Sequence, residues 1–206
     1  MTMRRTIGTW RGVGIEVAAW DGAGADVDLS CACLFTHELA VAGPAGGLLH
    51  LDQALGGALT SLRRSGHFRA DVMETLLLDR PPATIHARSV LMIGLGDPQA
   101  WTPALTARAA ATALRHAVQG RVSSAAFAPS VLDAGIVSDQ AADMPAAMMR
   151  AVAAALDAQA ALVERGLAAP LSLRNWIFDV GAPRFDSAAS RFEAELHALS
   201  SGKEPA

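Results

Sequence analysis

The chain predicts an α/β fold of three αβα layers, with a mixed, mostly parallel sheet flanked by helices. Three observations lead there. Strand-like and helix-like segments alternate through the middle and end of the chain, which implies crossover connections. Residues 89–95 (SVLMIGL) are apolar at successive positions, as a strand covered on both faces requires. The first two strand-like segments follow one another without a helix between them, which predicts that the sheet is not purely parallel.

Each element has its own local signal. Residues 13–20 (VGIEVAAW) read as a strand, closed by a turn at Asp21-Gly22-Ala23-Gly24. Residues 27–35 (VDLSCACLF) alternate with period two, the pattern of a partly buried strand. A Gly/Pro-rich loop at 43–47 leads to a helix over 51–64, with Leu51, Leu55, Leu59 and Leu62 on one face and Gly66 suited to the left-handed position beyond its end. Gly56 and Gly57 lie inside that helix, where each costs roughly 1 kcal/mol relative to Ala. Close approach of the helix to the sheet is the expected offset, and close approach of a ligand is the alternative.

Residues 73–78 (METLLL) and 89–95 read as strands around a turn at Asp79-Arg80-Pro81-Pro82. Thr102 is a good N-cap and Pro103 a good first residue for a helix that runs to Gln119 and stops at Gly120. A strand over 122–128 precedes a loop over 129–140. The longest helix spans 145–165, with Met148, Val152, Leu156, Gln159 and Leu162 or Val163 on its buried stripe. A strand over 171–180 and a helix over 187–199 close the chain. Residues 1–200 are expected to form one domain and 201–206 a loose tail.

Composition excludes several classes. Hydrophobic residues make up 51% of the 206 and charged residues 18%, too apolar for a disordered chain. The net charge of -3 and the lack of a basic stripe argue against nucleic acid as a partner. No run of about 18 apolar residues occurs, so no membrane span is expected. The first 14 residues carry three arginines with no apolar run behind them, unlike a signal peptide, and the cytoplasm is the expected location. Cys31 and Cys33 sit on one face of one strand, a geometry that does not make a relaxed disulfide, so free buried thiols are expected.

Three segments carry a family resemblance. Residues 46–68 (GGLLHLDQALGGALTSLRRSGHF), 89–96 (SVLMIGLG) and the Ala-rich helix containing 107–113 (ARAAATA) stand in an order and spacing that resemble the N-terminal domain of leucyl aminopeptidases, over residues 46–181. The resemblance implies a macro-domain-like architecture. Residues 124–135 (SAAFAPSVLDAG) are similar to the strand and loop that cradle a diphosphate in macro domains. The physical logic there is a strand end, a small-residue loop with free backbone amides and a helix N-terminus. On that basis the candidate ligand-binding residues are Gly46, Gly47, His50, Ser130, Asp133 and Gly135. The chain departs from the macro-domain pattern: its one asparagine is Asn175, and it has no Asn-Ala dipeptide and no run of three glycines.

The resembled peptidases bind two metals through carboxylates and a lysine in a second domain. The only lysine here is Lys203, and the acidic residues are scattered. The sequence stops at Ala206, where that domain would be expected to begin. No catalytic residue, no metal and no cofactor are therefore expected. His37-Glu38 starts like a zinc-binding H-E-x-x-H, but position 41 is Val41. Gly94-Leu95-Gly96 resembles the start of a dinucleotide fingerprint, but Pro98 and Gln99 stand where the pattern needs a helix opening and a third glycine. The expected function is that of a stand-alone, non-catalytic binding or assembly module, partnered by a second copy or by a separately encoded peptidase. The alternative is a macro-domain-type binder of ADP-ribose or another small phosphate-containing ligand.

Overall fold

The computed structural model describes residues 3–20, 23–38, 46–131 and 142–202. Seven strands form one sheet in the order β1-β2-β7-β6-β3-β5-β4. These are β1 (Met3–Trp10), β2 (Val13–Ala19), β3 (Leu29–Leu34), β4 (Thr75–Leu78), β5 (Ser89–Gly94), β6 (Ser124–Ala128) and β7 (Asn175–Asp179). Neighbours from β2 through β5 are parallel, while β1 and β4 run antiparallel at the two edges. The helices are α1 (Gly46–Ala54), α2 (Ala58–Arg64), α3 (Pro103–Gln119), α4 (Met144–Glu164) and α5 (Phe185–Ser200).

The layers follow from the strand pattern. Side chains of successive strand residues alternate between faces. Cys31 and Cys33 of β3, Phe127 of β6 and Trp176 and Phe178 of β7 join one core with α3, α4 and α5. Ala32 and Leu34, Ala126 and Ile177 join the other core with α1 and α2. In the first core Phe178 stacks on Phe192 of α5 at 4.0 Å between ring centroids, which fixes α5 against the sheet. Both thiols are buried and free, and burial pushes both well above the ordinary thiol range.

Four features differ from the sequence reading. The helix expected over 51–64 is two helices. Gly56 (φ +64) and Gly57 (φ +81) both adopt left-handed conformations, which breaks the helix between Ala54 and Ala58. A Cβ at either glycine would meet nothing within 4 Å, so close approach to the sheet does not account for them; the left-handed backbone does. Second, β1 has no apolar alternation and was not expected as a strand. It forms because Arg11 (φ 49) and Gly12 (φ 80) make a two-residue hairpin turn with both residues left-handed. Third, the mixed character of the sheet comes from its two edges. The first two expected strands, β2 and β3, are parallel and separated by β7 and β6. Fourth, α4 is long and apolar enough to cross a membrane by length and composition alone. Met148, Met149, Val152, Ala153 and Leu156 bury its stripe in the core it shares with α3 and α5, whereas Leu162, expected on that stripe, is exposed. The 203–206 part of the expected tail, and the Asp21-Gly22 part of the expected turn, lie outside the described residues.

Polar clamps lock the strand ends. Asp28 Oδ2, just before β3, accepts from Ser123 N (2.8 Å), Ser123 Oγ (2.5 Å) and Ser124 N (3.1 Å), tying the start of β3 to the start of β6. Ser123 chiefly, with the neighbouring amides and Arg88, holds the Asp28 carboxyl below its ordinary range. At the other end of β3, the Arg63 guanidinium of α2 donates to three carbonyls: Thr36, Phe68 (2.9 Å) and Glu38 (3.3 Å). Burial lowers its pKa. Glu38 accepts from Phe35 N at 2.7 Å, a structural role for the glutamate of the His37-Glu38 pair.

Two outcomes follow from this packing. At Gly94 a Cβ would lie 2.2 Å from the Asp71 carbonyl oxygen and 2.4 Å from the Ala70 carbonyl carbon, both backbone atoms that cannot swing away. Gly94→Ala is expected to lower stability by at least the roughly 1–3 kcal/mol typical of overpacking, read as a fall in the urea midpoint at unchanged slope. Because the folded state lowers the Asp28 pKa, its stabilisation is complete above the ordinary carboxylate pKa and is lost as pH falls through the lowered value. Asp28→Asn is expected to lower the melting temperature at pH 7. It is expected to narrow that difference progressively below about pH 4, and a constant gap down to pH 2 would contradict the clamp.

Candidate functional site

In a parallel sheet the carboxyl ends of the strands point one way, and the loops leaving them diverge toward opposite faces. Here β3, β6, β7 and β2 end at a cleft of about 620 Å³. Its floor is apolar: Ala32 of β3, Leu48 and Leu51 of α1, Met148 of α4 and Phe192 of α5. Its rim is built from strand exits. Ala128-Pro129-Ser130-Val131 leave β6, Asp179-Val180-Gly181 leave β7, and Trp20 follows β2.

The rim turns need unusual backbone. Ser130 holds φ 53, a left-handed conformation uncommon outside glycine, and Gly181 holds φ 71. Asp179 is buried, and its Oδ1 accepts from Trp20 N at 3.0 Å and from Gly181 N at 3.5 Å. One carboxylate thus joins the exits of β2 and β7 and fixes where Trp20 and Gly181 stand. Beyond Gly181 a single 3₁₀ turn over Ala182–Arg184 leads into α5. That turn brings half-buried Arg184 to the cleft, and α5 adds Ser187 and exposed Arg191. Arg191 Nη1 donates to the Ala142 carbonyl, next to the start of α4. The first residues of α4, Met144 and Pro145, complete the wall.

Of the residues expected from sequence, Gly47 and Ser130 line this cleft together. Gly46 is exposed beside Gly47 at the start of α1, with φ 54. His50 is exposed on α1 and is not among the lining residues. Asp133 and Gly135 lie outside the described residues. Sequence reasoning missed Trp20, Asp179, Arg184, Ser187 and Arg191. The available signal was the Asp-Val-Gly-Ala-Pro-Arg run at 179–184, a charged strand exit followed by turn residues. Among the described residues no three His, Cys, Asp or Glu side chains are grouped so as to hold a metal ion. The cleft offers two guanidinium groups, two hydroxyls, one buried carboxylate, backbone turns and an apolar floor, a set that suits binding of a small anionic molecule with an apolar part.

Comparison with known proteins agrees with this architecture. Residues 34–160 match the model of the cytosol aminopeptidase family, N-terminal domain. That span overlaps most of the 46–181 expected from sequence. No curated protein matches the chain in sequence. Among solved structures, a mutant of tomato leucine aminopeptidase is similar at a TM-score of 0.66 and 15% identity. It covers 91% of this chain, while this chain spans only 36% of the tomato protein. The Oceanobacillus iheyensis macrodomain with ADP is similar at a TM-score of 0.62 and 14% identity, over 98% of both chains. A mutant of that macrodomain with ADPR is similar at 0.61 and 15%, over 98% of this chain and 100% of that one. These likenesses describe the fold; the family match extends over more than half of the chain, which belongs to the cytosol aminopeptidase family through its N-terminal domain.

Proposed function

We propose that the chain is a binding module that holds a small phosphate-bearing ligand, of the nucleoside diphosphate type, in the cleft at the ends of β3, β6 and β7. The observation that carries this is the convergence of Arg184 and Arg191 with the left-handed turns at Ser130 and Gly181 in one cleft. Guanidinium groups bind phosphate oxygens in pairs, and left-handed turns expose backbone amides to anions. The volume of about 620 Å³ lies within the range of small-molecule sites. Trp20 on the rim offers a ring for a base, and the apolar floor offers cover for it. Structural neighbours that hold ADP and ADPR support the same ligand class.

A second role, assembly with another copy of this chain or with a separately encoded peptidase, is favoured by one observation. The outermost strand β4 has no further strand paired to its outer edge among the described residues, and Leu77 on it is 52% exposed. The two roles use different ends of the molecule and do not compete.

The ligand reading is tested by melting the protein with ADP-ribose, ADP, AMP and inorganic phosphate. A ligand at 100 times its dissociation constant adds about 2.7 kcal/mol, at about 2–4 °C per kcal/mol for a domain of this size. ADP-ribose and ADP are expected to raise the midpoint most and phosphate least. Arg191→Ala, at an exposed position, is expected to keep the unliganded midpoint and to remove most of the shift. Flat melting curves with all four compounds, together with no heat in a titration with ADP-ribose, would end this reading.

A further inference from the structure

We infer that this chain forms a two-fold dimer by pairing β4 antiparallel with β4 of a second copy, centred on Leu77, to continue the sheet across the two molecules. This inference rests on the assembly role and names its partner and register; it does not depend on the cleft.

The hydrogen-bond parity of β4 sets the register. Met73 (φ 62) N donates to Gly94 O at 2.9 Å, and Gly94 N donates to Glu74 O at 2.8 Å. This is a bulge with its first residue left-handed, and regular pairing resumes at Glu74. Residues facing β5 through hydrogen bonds then alternate as Glu74, Leu76 and Leu78, opposite Met92 and Val90 for the last two. The amides and carbonyls of Thr75 and Leu77 therefore point outward, away from β5. A two-fold axis at Leu77 lets each Leu77 exchange both backbone bonds with its counterpart, and lets Thr75 exchange them with Asp79 of the second copy.

The side chains agree with that register. Leu77 would lie against Leu77, covering a leucine that is 52% exposed in the single chain. Leu76 would lie opposite Leu78, both half-buried on the α1–α2 side. Glu74 would lie opposite Arg80, once on each side of the axis. The Glu74 carboxylate accepts from Arg69 N and Asp71 N through Oε2, which holds its charge at the start of β4. Arg80 is exposed and has no ion-pair partner among the described residues. A shift by half a step, with the axis between Leu76 and Leu77, would instead place Glu74 opposite Asp79, and like charges facing each other across strands repel.

The opposite edge is guarded. β1 has Arg4 paired with Glu16 and Arg5 with Asp186, and its register shifts at a bulge between Thr6 and Gly8. Charges and bulges of this kind keep an edge from pairing. Within β4 itself, Thr75–Leu78, there is no charge and no proline.

Sedimentation equilibrium of the 206-residue chain across protein concentrations tests the pairing, with amide hydrogen exchange of Thr75 and Leu77 as a second readout. The wild type is expected to dimerise, and these two amides are expected to exchange more slowly as dimer accumulates. Leu77→Lys puts two ammonium groups face to face and is expected to raise the dimer dissociation constant by at least about tenfold, with an unchanged melting temperature when both proteins are melted dilute enough to be monomers. Arg80→Glu is expected to weaken the dimer several-fold. A monomer at every concentration overturns both the inference and self-assembly. A dimer that Leu77→Lys leaves intact, with fast exchange at Thr75 and Leu77, overturns the β4 pairing while self-assembly through another face stands.

Discussion

Parallel pairing of β2, β7, β6, β3 and β5 is the constraint from which the rest of the molecule follows. Parallel neighbours cannot be joined by tight turns, so the chain must cross over between them. The crossovers β5-α3-β6 and β6-α4-β7 lay α3 and α4 side by side on one face. With α5 they cover the aromatic surface of Phe127, Trp176 and Phe178. Because the strands share a direction, their carboxyl ends meet on one side. The cleft forms there, where the exits of β3, β6 and β7 part company.

Small residues make that arrangement dense. Ala109, Ala110 and Ala113 of α3 and Ala153 of α4 are buried in the first core. Short side chains let α3 and α4 lie close together, and close packing recovers dispersion energy that larger, looser contacts would lose. The second face is covered differently. The α1–α2 pair is short, bends at two left-handed glycines and is held down by the three-carbonyl grip of Arg63. A half-buried guanidinium that satisfies backbone carbonyls substitutes there for a longer apolar helix. The connection from β2 to β3 contributes Ala25 and Val27 to the same layer.

The two ends of the sheet are thereby given different tasks. The amino ends of β3 and β6 are clamped by Asp28 and Ser123. The carboxyl ends are left open around Asp179, whose hydrogen bonds go to backbone amides that shape the rim. Asp28 and the Ser123 hydroxyl hold strands together at the closed end, and Arg184, Ser187 and Arg191 line the cleft at the open end. The lateral edges divide in the same way, with β1 guarded by ion pairs and β4 presenting an apolar, uncharged strand.

Local signals in the sequence determined most elements. The Thr102-Pro103 start and Gly120 stop of α3 lie within a few residues and depend on cap geometry, so they are readable without the fold; Thr102 Oγ1 accepts from Leu105 N at 3.3 Å. The apolar run at β5 and the period-two pattern of β3 declare their burial in the same way. Gly47 and Ser130 were named from the resemblance to macro domains, and both line the cleft. What only the tertiary structure decided is what depends on partners distant in the chain. β1 is a strand because β2 pairs with it. The pairing of β2 with β7 brings residues 20 and 179 together, and Arg184 and Arg191 reach the cleft because Phe178 and Phe192 seat α5 on the sheet. A contact such as that between Trp20 and Asp179, 159 positions apart, leaves no mark on local periodicity, which is why the charged half of the cleft could be located only once the sheet was assembled.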